Sequence, residues 1–177
     1  MTSGPATTPQ TLAARCCVVG GGPAGMMAAF LLARAGVDVV VLEKHADFFR
    51  DFRGDTIHPS TLELFHELGL LEDFLKLPHS EAREISGWIG EEKVTVADFS
   101  HLPTQCKFIA LMPQWDFLNF LAKKGTRYPS LRLLMGVAAA DLILEEERVV
   151  GVRATHGGKT LDMRADLTIA ADGRHSI

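Results

Sequence analysis

Six residues near the amino terminus, Gly20-Gly21-Gly22-Pro23-Ala24-Gly25, fit the pattern G-x-G-x-x-G. That pattern carries chemistry in one context, between the end of a strand and the start of a helix. Both flanks are present. Arg15 to Val19 is a short apolar run of the kind a buried strand shows, and Ala24 to Ala35 is apolar or small nearly all round, as suits a buried helix. Pro23 stands where a first-turn proline is tolerated, and Gly36 where a helix-terminating glycine belongs. In this setting Gly20 permits a tight turn, Gly22 lets the backbone approach a pyrophosphate, and Gly25 lets helix and strand pack closely. The helix opened by Pro23 and Ala24 then offers unpaired N–H groups and its dipole to the anion. A glycine-rich turn without a ligand is the plainer alternative.

Glu43 follows 18 residues after Gly25, at the end of a second, valine-rich run from Val37 to Leu42. A carboxylate at that point accepts hydrogen bonds from ribose hydroxyls. It would repel a 2′-phosphate, so the adenosine half belongs to FAD or NAD rather than to NADP. A solvated strand-end glutamate is the alternative. Lys44 is counted with the nucleotide-binding residues, whereas His45 is given no role. Strand, helix and strand make a βαβ unit, with parallel strands and a right-handed crossover.

The elements beyond this unit must position the remaining candidates. A loop from Lys44 to Ile57 contains Arg50, Arg53 and Gly54. His58 to Leu68 reads as a helix closed by Gly69, and Leu70 to Leu77 as a shorter one stopped by Pro78. Glu84–Ile89 and Lys93–Phe99 are expected to pair as strands, with Lys107–Leu111 as another. Pro113 opens a helix to about Lys124, and Leu131–Met135 is a buried-strand run. In the last third, 138–145, 148–155 and 159–164 read as an antiparallel meander, with His156-Gly157-Gly158 as a hairpin turn. Leu167–Ala171 is a final strand. The strands before Gly20, ending at Glu43, at 131–135 and at 167–171 are expected to lie parallel in one sheet. The meander is expected to form a separate layer packed across helices.

FAD and NAD share the glycine fingerprint, and the layout separates them. A dehydrogenase continues in βαβ units; here a long excursion and then a meander follow. From about Arg15 to Ile177 the chain resembles the flavoprotein monooxygenases of the p-hydroxybenzoate hydroxylase family. Four patches carry the resemblance. These are GGGPAG with Glu43; Arg53-Gly54-Asp55-Thr56-Ile57-His58 with the helix after it; Met112-Pro113-Gln114; and Ala170-Ala171-Asp172-Gly173-Arg174-His175-Ser176. The resemblance implies that Arg53 contacts the flavin nucleotide and that Gln114 opens a helix beside the cofactor. It also implies that Asp172 and Gly173 belong to a motif associated with FAD and NAD(P)H use. Read alone, Arg53 could bind phosphate by charge-assisted hydrogen bonds or stand in solvent. Gln114 could be a local cap, and Asp172-Gly173 an ordinary turn. His58, before Pro59, reads as a helix-entry residue.

The implied fold is α/β: a Rossmann-type FAD-binding domain with a parallel sheet, an antiparallel β-meander and an incomplete substrate-domain sheet. Residues 1–12 are expected to be a flexible tail. Residues 13–177 are expected to be the amino-terminal portion of the FAD-binding domain, with 82–111 starting the inserted sheet. The implied activity is an aromatic hydroxylase using FAD, NAD(P)H and O2. Other flavoproteins of this fold, a halogenase or a geranylgeranyl-type reductase, are rivals, as is a non-catalytic nucleotide-binding module. The Trp-x-Trp-x-x-Pro stretch of halogenases is not present. The family continues beyond the position of Ile177, with an arginine after the Asp-Gly motif and a later Gly-Asp motif. Residues 1–177 alone are therefore expected to bind FAD weakly. No acid or base for catalysis stands out.

The bulk numbers agree with a globular domain of 177 residues, 47% apolar and 23% charged. A net charge of −4 leaves no basic face for nucleic acid. The apolar runs are shorter than the roughly 20 residues a bilayer needs. Three cysteines, Cys16, Cys17 and Cys106, show neither a disulfide framework nor metal-ligand spacing. This suggests a reducing, cytoplasmic setting. The expected partners are a small aromatic substrate and O2, with no nucleic acid and no membrane, and a homodimer is left open. Trp88, Trp115 and the phenylalanines are expected to be mostly core.

Overall fold

The computed structural model describes residues 10–49 and 55–173. In chain order it contains β1 (Gln10–Val19), α1 (Pro23–Arg34), β2 (Val39–Glu43), β3 (Thr56–Ile57), α2 (Pro59–Glu67), α3 (Leu71–Phe74), β4 (Ser80–Ala82), β5 (Glu84–Ile89) and β6 (Glu92–Asp98). Then follow β7 (Ile109–Leu111), α4 (Gln114–Gly125), β8 (Leu131–Met135), β9 (Val137–Glu145), β10 (Arg148–His156) and β11 (Lys159–Ala170). The chain divides into two compact units, one of Met1–Phe48 with Leu121–Ile177, the other of Phe49–Phe120.

The first unit is built on a six-stranded sheet in the order β8-β2-β1-β11-β10-β9. The first four of these strands are parallel, as the sequence predicts. Cys16–Val19 of β1 and the whole of β2 are buried on both faces, which explains these unbroken apolar runs. Gly25 of α1 lies against Val18, on one face. On the other face Cys17, Val19, Val40 and Leu42 share a core with Val137, Val152, Ala154, Leu161, Met163 and Ala165 of the meander.

The meander is not a separate layer across helices. β10 pairs with β11 antiparallel, and β11 pairs with β1 parallel, so hydrogen bonding is continuous from one part of the sheet to the other. The expected strands at 159–164 and 167–171 are one strand of 12 residues. Ala165 and Asp166 between them include neither glycine nor proline, and nothing there forces a turn. Gln10, Thr11 and Leu12, expected in the tail, extend β1 opposite Leu161, Asp162 and Met163. Leu12 packs on the meander core, which ties this segment down. Residues 1–9 lie outside the described part.

The turns follow glycine chemistry. Gly36 has φ +80 after α1, Gly69 has φ +68 after α2, and Gly157-Gly158 have φ +56 and +76 between β10 and β11. The β9–β10 turn is different: Glu146 and Glu147 hold φ 49 and 67 without being glycine.

In the second unit, Phe65 of α2 meets Phe74 edge-on at 4.7 Å and stacks on Phe117 at 5.6 Å between centroids. Phe120, Leu62 and Leu70 are also buried. β5 and β6 pair as expected. β7 instead lies between β3 and β4, two short strands the sequence does not announce. Among the described residues two aromatics depart from the expected core: Trp88 is 71% exposed on β5, and Phe49, 73% exposed, leans on Trp115 at 5.0 Å. Among the described residues no helix is long and apolar enough to cross a membrane.

Candidate dinucleotide site

At the carboxyl ends of the parallel strands the chain leaves β1 through Gly20-Gly21-Gly22. The Gly20 N–H donates to the Leu42 carbonyl at 2.8 Å, and the Ala171 N–H to the Val19 carbonyl at 2.7 Å. Gly20 has φ +103, and a Cβ there would lie 2.4 Å from the Ala171 oxygen. The turn is thus pressed against the segment leading to Asp172. A Cβ on Gly25 would lie 2.0 Å from the Gly20 carbonyl oxygen, so the helix can approach the turn only as glycine.

Gly22 behaves differently. It caps α1 with φ −73 and ψ 179, values open to any residue, and a Cβ there would meet nothing within 4 Å. The side of Gly22 that carries no side chain faces open space of the kind a phosphate group would enter. No side chain caps α1, and first-turn amides have no partner inside a helix. The intrahelical ladder begins with Met26 N–H to the Gly22 carbonyl at 2.9 Å. Helix dipole and outward amides together suit an anion.

Glu43 closes the site from β2. It is 2% exposed. Its Oε2 accepts the Gly21 N–H at 2.7 Å, and its Oε1 the His45 N–H at 2.9 Å. A buried carboxylate needs such donors. The His45 carbonyl in turn accepts the Gly136 N–H at 2.8 Å, at the corner between β8 and β9. Each carboxylate oxygen can accept more than one hydrogen bond.

The structure therefore brings Gly20, Gly22, Pro23, Ala24, Gly25, Glu43, Lys44, Asp172 and Gly173 to one edge of the sheet. Pro23, Ala24 and Lys44 are exposed, Asp172 is half-buried, and Gly173 is exposed with φ +88. Gln114 begins α4 in the second unit and is half-buried. Arg53 lies outside the described residues, as do Arg174, His175 and Ser176. The sequence reading passed over Gly21, His45 and Gly136. All three act through the main chain, and a glycine at the first variable position of the fingerprint was the one hint.

The donor set and the open cradle at Gly22 fit a dinucleotide such as FAD, and similarity to known proteins points to the same class. The family model described as FAD binding domain matches residues 13–177. A 6-methylpretetramide 4-monooxygenase of Streptomyces rimosus is 32% identical over 163 residues, with 90% of this chain and 38% of that protein covered. A rifampicin monooxygenase of Streptomyces venezuelae is 30% identical over 165 residues, covering 90% of this chain and 32% of that protein. Among solved structures, p-nitrophenol 4-monooxygenase from Pseudomonas putida superposes with a TM-score of 0.78 at 25% identity, over 93% of this chain and 42% of that one. The myxobacterial chondrochloren halogenase superposes with a TM-score of 0.80 at 25% identity, over 94% and 38%. The chain thus spans well under half the length of these relatives. With its glycine turn, strand-end glutamate and meander all falling inside the matched residues, the chain belongs to the FAD-binding-domain family.

Proposed function

We propose that this protein is an FAD-dependent monooxygenase that hydroxylates an aromatic substrate with NAD(P)H and O2. The observation that carries the reading is the cradle at Gly22, open to a ligand atom and flanked by the buried carboxylate of Glu43. Several relatives bear the names of aromatic monooxygenases, among them a para-nitrophenol 4-monooxygenase and a probable NADH-specific resorcinol 4-hydroxylase. The halogenase among the similar structures supports the fold equally and the reaction less.

In this reading the outward amides of the α1 first turn hold the pyrophosphate, and Gly22 lets it come close. Glu43 orients the ribose, and Lys44 borders the adenosine end. Asp172 and Gly173, pressed against the turn, border the phosphates. Arg53 and Gln114 are assigned to the flavin end by family resemblance. Bound FAD would supply hydride acceptance and oxygen activation, chemistry no side chain provides. The protein's own task is to orient the cofactor and keep water out. A cytoplasmic setting, in keeping with the free cysteines, and a homodimer are further parts of the proposal.

The test is spectroscopic and then catalytic. The protein should take up FAD and show flavin absorption at about 450 nm. With flavin bound, NAD(P)H oxidation should be stimulated by a phenolic compound, giving a product one oxygen atom heavier. A well-folded protein that gains no flavin absorption on titration with FAD overturns the reading. A halogenated product formed only with added halide would replace the hydroxylase by a halogenase.

A further inference from the structure

Gly20-Gly21-Gly22 is a run of three glycines, and no stretch of backbone is more permissive. Left to itself it would lose that freedom only when a ligand arrived, and the ordering would weaken binding. The structure shows what restrains it. The amides of the turn are divided. Those of Gly20 and Gly21 point into the protein, to the Leu42 carbonyl at 2.8 Å and to Glu43 Oε2 at 2.7 Å. Pro23 carries no N–H, and from Ala24 the first-turn amides of α1 have no partner inside the helix. Gly21 is buried, and a Cβ on it would lie 3.0 Å from both Glu43 Cβ and Oε2, so carboxylate and peptide are in close contact.

We infer that Glu43 is a positioning residue for the glycine turn, setting it in its ligand-receiving shape before any dinucleotide binds. The role is separate from a ribose contact. One carboxylate oxygen holds the Gly21 amide, and the other holds the His45 amide, whose carbonyl is bonded to Gly136. The β1–α1 turn, the exit of β2 and the β8–β9 corner are thereby joined through a single side chain. A glutamate turned outward to ribose alone would leave the buried Gly21 N–H without an acceptor, which is costly. Charge on the acceptor strengthens the bond to each amide. The inference deepens the FAD reading and rests on it only for the identity of the ligand.

Amide hydrogen exchange on the FAD-free protein, resolved by NMR, tests it. In the wild type the Gly21 and His45 amides should be protected. In Glu43→Met, similar in length but without a strong acceptor, both should exchange on the order of tenfold faster or more, the scale of one charge-assisted hydrogen bond. Val18 and Val41 in the strands should be unchanged. Glu43→Gln keeps one carbonyl oxygen and should restore protection to one of the two amides and not to both. It serves the same purpose if the methionine variant does not fold. If Gly21 exchanges at the same rate in wild type and variants, or becomes protected only after FAD is added, the positioning role is wrong. A parallel FAD titration separates the two readings: protected Gly21 without FAD binding sinks the cofactor assignment and leaves the positioning role standing.

Discussion

The carboxylate of Glu43 accepts the N–H of Gly21 at 2.7 Å, joining two residues 22 positions apart in the chain. This contact makes the first variable position of the fingerprint a constrained one. A Cβ at Gly21 would sit 3.0 Å from the side chain of Glu43. Gly21→Val, branched at that carbon, should push the carboxylate aside. Overpacking of this kind typically costs about 1–3 kcal/mol, so FAD affinity should fall about tenfold or more. FAD titration by fluorescence quenching reads it, and an unchanged affinity would show that the carboxylate yields freely.

Gly22 and Gly25 should separate ligand space from packing. Gly22→Ala adds a Cβ that meets no protein atom within 4 Å, at an ordinary φ of −73. Stability should change by less than about 0.5 kcal/mol, as for a substitution free of structural conflict, while FAD binding weakens. Gly25→Ala places a Cβ 2.0 Å from a backbone oxygen, which no rotamer change relieves. It should lose about 3 kcal/mol of unfolding free energy or more, measured by urea denaturation. A Gly25→Ala variant as stable as the wild type would contradict the close approach.

Much of this site was legible because its signals are local. Apolar runs bounded by glycine and proline give the βαβ unit, and the turn at Gly20 and the close packing at Gly25 follow from where a strand turns into a helix. What was not legible depends on pairs of residues distant in sequence. The burial of Glu43 needs both the Gly21 and His45 amides as partners, and neither is marked by side-chain chemistry. The continuity of β11 depends on β1 running opposite it from Gln10 to Val19, although Gln10-Thr11-Leu12 is polar enough to read as tail. Trp88 was expected inside by its size, yet the face it occupies on β5 is uncovered in the described residues.

The β9–β10 turn offers a gain in stability. Glu146 and Glu147 both hold positive φ, at 49 and 67, the backbone of a type I′ hairpin that favours Asn-Gly. A double change, Glu146→Asn with Glu147→Gly, relieves strain at both positions and removes two of three consecutive acids. The expected gain is about 1 kcal/mol, read as a higher urea midpoint with an unchanged slope. A lower midpoint would mean that the lost chain entropy of the new glycine outweighs the relieved strain.

The buried thiols make stability fall at high pH. Burial pushes the Cys17 thiol up to about 12, helped by the neighbouring Cys16, from an ordinary 9.0. Burial raises Cys16 and Cys106 as well. The sign follows from which state binds the proton more tightly. The folded chain holds the Cys17 proton until about 12, and the unfolded chain releases it from about 9. The stabilisation is complete below pH 9 and is lost progressively between the two values, at about 1.4 kcal/mol per pH unit for one thiol. Urea midpoints for wild type and Cys17→Ala should therefore run parallel below pH 8.5 and converge above about pH 9, because the alanine variant lacks this proton. The same burial makes all three cysteines poor nucleophiles, since the thiolate is the reactive form. At pH 8 a thiol reagent such as DTNB should label the native protein slowly and the urea-unfolded protein at once, at three sites. Rapid labelling of Cys16 or Cys17 in the native protein, or midpoints that stay parallel to pH 10.5, would mean that water reaches the β1 thiols and that the sheet faces they occupy are not closed.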